Sequence, residues 1–159
     1  MNNQQLASNN QPFFQFEADF IESLRCIPMQ VRMKLDSCGV KLKLLHWNQF
    51  SHQECQNLVD MLCETEAEII AYRQYLQNLV TEKTGQPAKE LAIDPHPPWL
   101  NAVAIPTEVQ TKAQEFQITI SQQQWSELIP AQRFALIKLS RSSHENRNFL
   151  PALKEFKIT

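Results

Sequence analysis

The sequence predicts a mainly α protein, a compact single-domain helical bundle with short extended connectors. Three observations predict it. Apolar residues recur at helical spacing along several stretches, as Cys55, Leu58, Val59, Leu62 and Cys63 do at i, i+3, i+4, i+7 and i+8. Helix starts are marked by the capping boxes Ser51-x-x-Glu54 and Thr65-x-x-Glu68. The chain has 2 glycines, Gly39 and Gly85, and each follows a helical pattern where a left-handed residue would end it. A length of 159 residues suits one domain with its own core.

Each element follows from its own signals. Residues 1–12 are rich in Asn and Gln and read as a disordered tail. A short helix is expected from Glu17 to Leu24, and a second from Pro28 to Cys38 with Val31, Leu35 and Cys38 on one face. The third opens at Ser51 and carries its stripe through Cys63. The fourth opens at Thr65 and carries Ile69, Tyr72, Leu76, Leu79 and Val80 to Gly85. Residues 86–106 form a connector whose Pro87, Pro95, Pro97 and Pro98 forbid helix. Its Trp99, Leu100, Val103 and Ile105 are expected to lie against the core. A second helical block covers 107–116, 122–128, 130–141 and 146–156, with Phe134-Ala135-Leu136-Ile137 marking a central helix. Pro28, Pro106, Pro130 and Pro151 stand where proline opens a helix at its first position.

A weak internal repeat adds the hypothesis of two similar helical halves. Residues 27–61 align without gaps to 105–139, pairing Ile27 with Ile105, Pro28 with Pro106, Val31 with Val109, Lys34 with Lys112, Trp47 with Trp125 and Leu58 with Leu136. The connectors Val40-Lys41-Leu42 and Ile118-Thr119-Ile120 alternate as short strands do.

Composition narrows the function. A net charge of −2 argues against nucleic acid as a partner. No apolar run reaches the roughly 20 residues of a membrane helix, and Met1-Asn2-Asn3-Gln4-Gln5 lacks the pattern of a secretory signal. A cytoplasmic location is therefore expected. Cys26, Cys38, Cys55 and Cys63 form no C-x-x-C pair and fit no zinc or iron–sulfur spacing, so free thiols and no bound cofactor are expected. Two glycines leave no room for a glycine-rich phosphate loop. Ser140, Ser142 and Ser143 lack a nucleophile elbow. His144-Glu145 is not part of an H-E-x-x-H motif, and His46 and His52 read as surface residues. The expectation is a protein without catalytic residues of its own.

The most unusual segment is Arg141-Ser142-Ser143-His144-Glu145-Asn146-Arg147-Asn148, polar throughout and bounded by apolar stretches. One reading is a recognition loop, because arginine pairs bidentately with carboxylate or phosphate and histidine titrates near neutrality. The other is a helix junction, since Ser142-x-x-Glu145 is itself a capping box. Both can hold. Arg25 and Arg32 offer weaker candidates, against the plainer reading of a solvated face with an Arg32/Asp36 pair. Trp99 is either an exposed anchor or a residue tucking its loop onto the core.

These motifs resemble a known family. The run Phe16-Glu17-Ala18-Asp19-Phe20, followed by Leu24-Arg25-Cys26-Ile27-Pro28-Met29, Val31-Arg32 and Lys34-Leu35-Asp36, is one block. The other holds Gln132-Arg133-Phe134-Ala135-Leu136, Lys138-Leu139-Ser140-Arg141 and His144-Glu145-Asn146-Arg147-Asn148-Phe149-Leu150-Pro151-Ala152-Leu153. Together they are similar to the nitrate reductase-associated protein family, mostly cyanobacterial, across residues 13–157. The family is named for genes beside those of assimilatory nitrate reductase and molybdenum-cofactor synthesis. The resemblance implies a non-catalytic accessory or maturation role exerted by binding the nitrate reductase polypeptide. Arg141, His144, Glu145, Asn146, Arg147 and Asn148 are the expected partner-binding residues, with Arg25 and Arg32 behind them. The rival expectation is a carrier that delivers molybdenum cofactor or an iron–sulfur intermediate, with Arg141 and Arg147 on a pterin phosphate and Cys26 as a thiolate ligand.

Overall fold

The structure, a computed structural model, describes residues 13–18, 24, 26–141 and 146–159, the side chain of Asn146 excepted. Among them are eight α-helices and a single two-stranded sheet, so the fold is mainly α as expected. The expected tail at 1–12 lies outside the described residues, as does most of the helix expected from Glu17 to Leu24. The chain divides into two compact units, residues 1–93 and 94–159.

In the first unit a 3-10 turn, Gln15–Glu17, precedes α1 (Met29–Cys38), β1 (Val40–Lys41), α2 (Leu44–Trp47), α3 (His52–Asp60), α4 (Glu66–Thr84) and β2 (Lys89–Glu90). Pro28 is the residue before α1 and has no side-chain oxygen with which to cap it. Glu17, buried, takes over that role: its carboxylate accepts from the Met29 N–H at 2.6 Å and from the Phe14 N–H at 3.0 Å. A negative group there also complements the positive end of the helix dipole. Gly39 ends α1 at φ 71°, and β1 then pairs antiparallel with β2, Val40 opposite Glu90. A side chain at Gly39 would meet the Leu91 carbonyl at 2.8 Å. Both capping boxes form, Ser51 with Glu54 and Thr65 with Glu68. Val31, Trp47, Leu58, Tyr72, Leu76 and Val80 fill the core.

The third helix stops earlier than its periodicity predicts. It ends at Asp60, and Leu62 in the connector is 64% exposed although Cys63 is buried. The reason lies elsewhere in the chain. Lys34 Nζ donates to the Val59 and Met61 carbonyls at 2.7 and 2.6 Å, satisfying acceptors that helix continuation would have used.

The second unit contains a 3-10 turn at Pro98–Leu100, α5 (Thr107–Gln114), α6 (Gln122–Glu127), α7 (Pro130–Arg141), a 3-10 turn at Asn146–Asn148, and α8 (Phe149–Glu155). As expected, α7 is central: Phe134, Ala135, Leu136 and Ile137 are fully buried. Of the four connector residues expected against the core, Trp99 alone is buried, with its ring edge-to-face on Phe134 at 4.9 Å. Leu100, in the turn that inserts Trp99, is 60% exposed, and Val103, in the loop beyond it with its N–H on the Asn101 side-chain oxygen at 2.9 Å, is 66% exposed. Pro130 opens its helix at the first position, whereas Pro28 and Pro106 sit one residue earlier and Pro151 is the third residue of α8.

Side-chain amides replace strand partners in both units. Gln77 accepts from the Ala88 N–H at 2.7 Å and donates to its carbonyl at 3.0 Å. Gln110 does the same for Ile120, at 3.1 and 2.6 Å. Ile118–Ile120 accordingly forms no strand, and the alternation of its side chains belongs to a connector.

Candidate functional site

The polar segment 141–148 begins at the last residue of α7, and buried residues stand on both sides of it. Leu139 is fully buried two residues before Arg141, and Phe149 is fully buried immediately after Asn148, stacked against Phe116 at 6.2 Å.

Arg141 is the last residue of α7 and is exposed. Its guanidinium donates to Glu108 of α5 at 2.7 Å. Both partners are half or nearly half exposed, so water screens the pair and it is worth about 0.2–1 kcal/mol. The contact costs little to exchange for another carboxylate. Arg147 lies in the 3-10 turn and is exposed. Asn148 precedes α8 without making a capping bond to it. Capping is blunted there because the third helical residue is Pro151, which has no N–H to offer. The half-buried carboxamide of Asn148 thus retains hydrogen-bonding capacity toward solvent.

The remaining predicted site residues are distributed differently. His144 and Glu145 lie outside the described residues, as do Ser142, Arg25 and the Asn146 side chain. Arg32 sits on α1 in the first unit, half-buried, and its Nε donates to the Ile27 carbonyl at 3.3 Å. Its guanidinium is thus used to close the turn that leads into α1. Arg141, Arg147 and Asn148 share the second unit.

Sequence reasoning passed over Arg133, buried at one end of α7. It gathers the carbonyls of Trp99 at 3.0 Å, Trp125 at 3.1 Å, Ser126 at 3.3 Å and Leu128 at 2.6 Å. A cation placed four residues into an otherwise apolar helix was the available signal. Its role is to hold the Trp99 turn and α6 onto α7. His52 is exposed, as read from the sequence, while His46 is half-buried and accepts from the Lys43 N–H at 3.2 Å. Burial, with Lys43 nearby, lowers the His46 pKa below its ordinary value. Cys26 is half-buried, the other three cysteines are buried, and all four are free thiols. Among the described residues no three or more His, Cys, Asp or Glu side chains gather as a metal site would require. No described helix is long and apolar enough to cross a membrane.

The model of the conserved nitrate reductase-associated protein family matches residues 13–156. The chain belongs to this family. No curated protein and no solved structure matches it significantly. Both sequence blocks that carry the resemblance fall inside the matched range, and so does the whole of the polar segment.

Proposed function

We propose that this protein is a non-catalytic accessory factor of assimilatory nitrate reductase, acting in the cytoplasm by binding the reductase polypeptide. Membership of the nitrate reductase-associated family carries the reading. The recognition surface is Arg141, His144, Glu145, Asn146, Arg147 and Asn148. Three features support this placement: an exposed Arg147, a weakly paired Arg141 and an uncommitted Asn148 carboxamide lie on one short segment. Arginine and carboxamide groups pair well with carboxylates and backbone amides of a folding intermediate whose cofactor pocket is still open. Arg32 plays a smaller part, since its Nε is already engaged by Ile27.

The test is capture of the tagged protein from nitrate-grown source cells, followed by binding measurements with the reductase. The double variant Arg147→Ala, Asn148→Ala should lose roughly tenfold or more in affinity while its far-UV circular dichroism is unchanged. Unchanged affinity would remove the surface from 141–148. Recovery of molybdenum-cofactor synthesis proteins without the reductase would replace the binding reading by the carrier reading.

A further inference from the structure

We propose that residues 41–45, together with Lys89, form a second docking surface, one that fits an acidic peptide segment of a partner protein carrying a bulky apolar side chain. Lys41, Lys43, Leu44 and Leu45 are all exposed, and Leu42 alone among the five is half-buried. The two leucines of α2 are 50% and 68% exposed. Lys41 on β1 stands directly opposite Lys89 on β2, which is exposed as well. Successive strand residues alternate between faces, so the two lysines share one face of the pair while Glu90 lies on the other with Val40. Like charges directly opposite each other destabilise a strand pair. Among the described residues no carboxylate pairs with Lys41, Lys43 or Lys89.

The second unit serves as an internal control. In the repeat, residues 119–123 align with 41–45, and Thr119, Ser121, Gln122 and Gln123 take the places of Lys41, Lys43, Leu44 and Leu45. All four are exposed too. The shared plan therefore sets the exposure and requires neither lysine nor leucine there. Ser121 moreover caps α6, accepting from the Gln124 N–H at 3.0 Å. Lys43, in the same place before α2, makes no side-chain bond to its helix. The first unit thus forgoes a cap, exposes two leucines and sets two lysines against each other, where the second unit shows that neutral polar residues suffice.

Charge complementarity selects the occupant. Lysine on a strand edge ordinarily keeps other chains away, but the adjoining leucines favour a partner that carries acid beside an apolar side chain. Its carboxylates would sit on the ammonium groups and relieve the repulsion across the strands, and its apolar side chain would cover Leu44 and Leu45. A peptide senses the local patch, because charges beyond roughly 8 Å are screened at physiological salt. An anionic membrane meets the whole chain, whose net charge of −2 works against it.

The experiment selects a random-peptide phage library on the native full-length protein and measures Kd for the enriched peptides by fluorescence anisotropy. The comparison protein carries Lys41→Thr, Lys43→Ser, Leu44→Gln and Leu45→Gln, residues the second unit already accommodates. Circular dichroism checks its fold, and Lys89→Gln alone serves as the second variant. The enriched peptides should hold Asp or Glu beside Leu or Phe. They should bind the native protein about tenfold or more tighter than the fourfold variant. Lys89→Gln should weaken them by a smaller factor, as should about 1 M salt, where screening shortens the reach of charge to about 3 Å. An empty selection, peptides without acidic residues, or equal affinity for native and variant proteins would overturn the proposal. Preferential binding to phosphatidylserine vesicles would overturn it in favour of a membrane. A dimer of the native protein that the fourfold variant dissolves would overturn it in favour of a second copy.

Discussion

The two units repeat one local plan and close it with different chemistry. Their helices begin in register: Met29 and Thr107, Leu44 and Gln122, His52 and Pro130 are each 78 residues apart. Gly39 and Gln117 share that spacing, and both turn the chain left-handed, at φ 71° and 60°. Trp47 and Trp125 are fully or almost fully buried, and each indole N–H donates to a carbonyl upstream, Leu24 at 2.6 Å and Asn101 at 2.9 Å. Eight residues after each tryptophan a side chain reaches back to its carbonyl. In the first unit it is the Cys55 thiol at 3.9 Å; in the second it is the Arg133 guanidinium at 3.1 Å. The lysines have diverged too. Lys34 caps the end of α3, whereas Lys112 pairs with Glu115 at 3.1 Å on the surface, and α7 runs on to Arg141. A shared backbone plan tolerates either a small thiol or a cation making four carbonyl hydrogen bonds at one position, provided every buried carbonyl retains a partner.

The comparison breaks most readily at that position. Arg133→Met should destabilise by about 2–4 kcal/mol, because several buried carbonyls lose their donor together. Cys55→Ala should cost about 1 kcal/mol, the loss of a small apolar contact and a weak sulfur bond. Urea unfolding monitored by tryptophan fluorescence checks both. Equal costs would mean that the guanidinium adds nothing beyond packing.

The left-handed turns give a smaller contrast. Gly39→Ala should destabilise by about 1–3 kcal/mol, since a Cβ at positive φ is strained and would press on the Leu91 carbonyl. Gln117→Gly should stabilise by up to about 1 kcal/mol, because relief of strain at φ 60° exceeds the added entropy of the unfolded chain. Thermal unfolding of the two variants reads the opposite signs.

The smallest effect concerns pH. Hydrogen bonds from the Ser51 N–H to Glu54, and from the Thr65 and Glu64 N–H groups to Glu68, hold both carboxylates below their ordinary 4.5. In the second unit Gln124 takes the corresponding place in the cap with Ser121 and does not titrate. A depressed carboxylate pKa gives stability that is complete above the ordinary value and is lost as pH falls through the lowered one. Acidification below 4.5 should therefore weaken the α3 and α4 caps and leave the α6 cap untouched. Hydrogen exchange at the first-turn amides of the three helices, followed from neutral pH to about pH 3, would detect it. The difference should disappear in the Glu54→Gln, Glu68→Gln double variant.

Much of this was legible because it is local. Capping boxes, the glycine at the end of α1 and the apolar run of α7 act within a few residues, and the sequence marks all of them. The Ser121-x-x-Gln124 box was equally visible and went unused. What could not be read depends on distant partners. The α3 stripe continues in sequence through Cys63, yet the helix ends at Asp60, where a lysine 25 residues upstream of Val59 bonds its carbonyl. Leu100 looks as apolar as Trp99, and both lie in the 3-10 turn, which buries the tryptophan and leaves the leucine exposed. At the candidate site, composition singled out 141–148. The engagement of Arg141 by Glu108, 33 residues away, and of Arg32 by Ile27 required coordinates.

The amide clamp of Gln110 bears on how this chain avoids sticking to itself. An extended segment with open N–H and C=O groups is a template on which a second chain can add a strand. Ile118–Ile120, apolar at both ends, has its backbone groups engaged instead: the Ile118 N–H donates to the Ala113 carbonyl at 3.1 Å. Gln110 occupies both backbone groups of Ile120, so a would-be neighbour finds no hydrogen bonds to make at that residue. One glutamine thus does at Ile120 what a neighbouring strand would do, and the protection of that backbone rests on a single side chain.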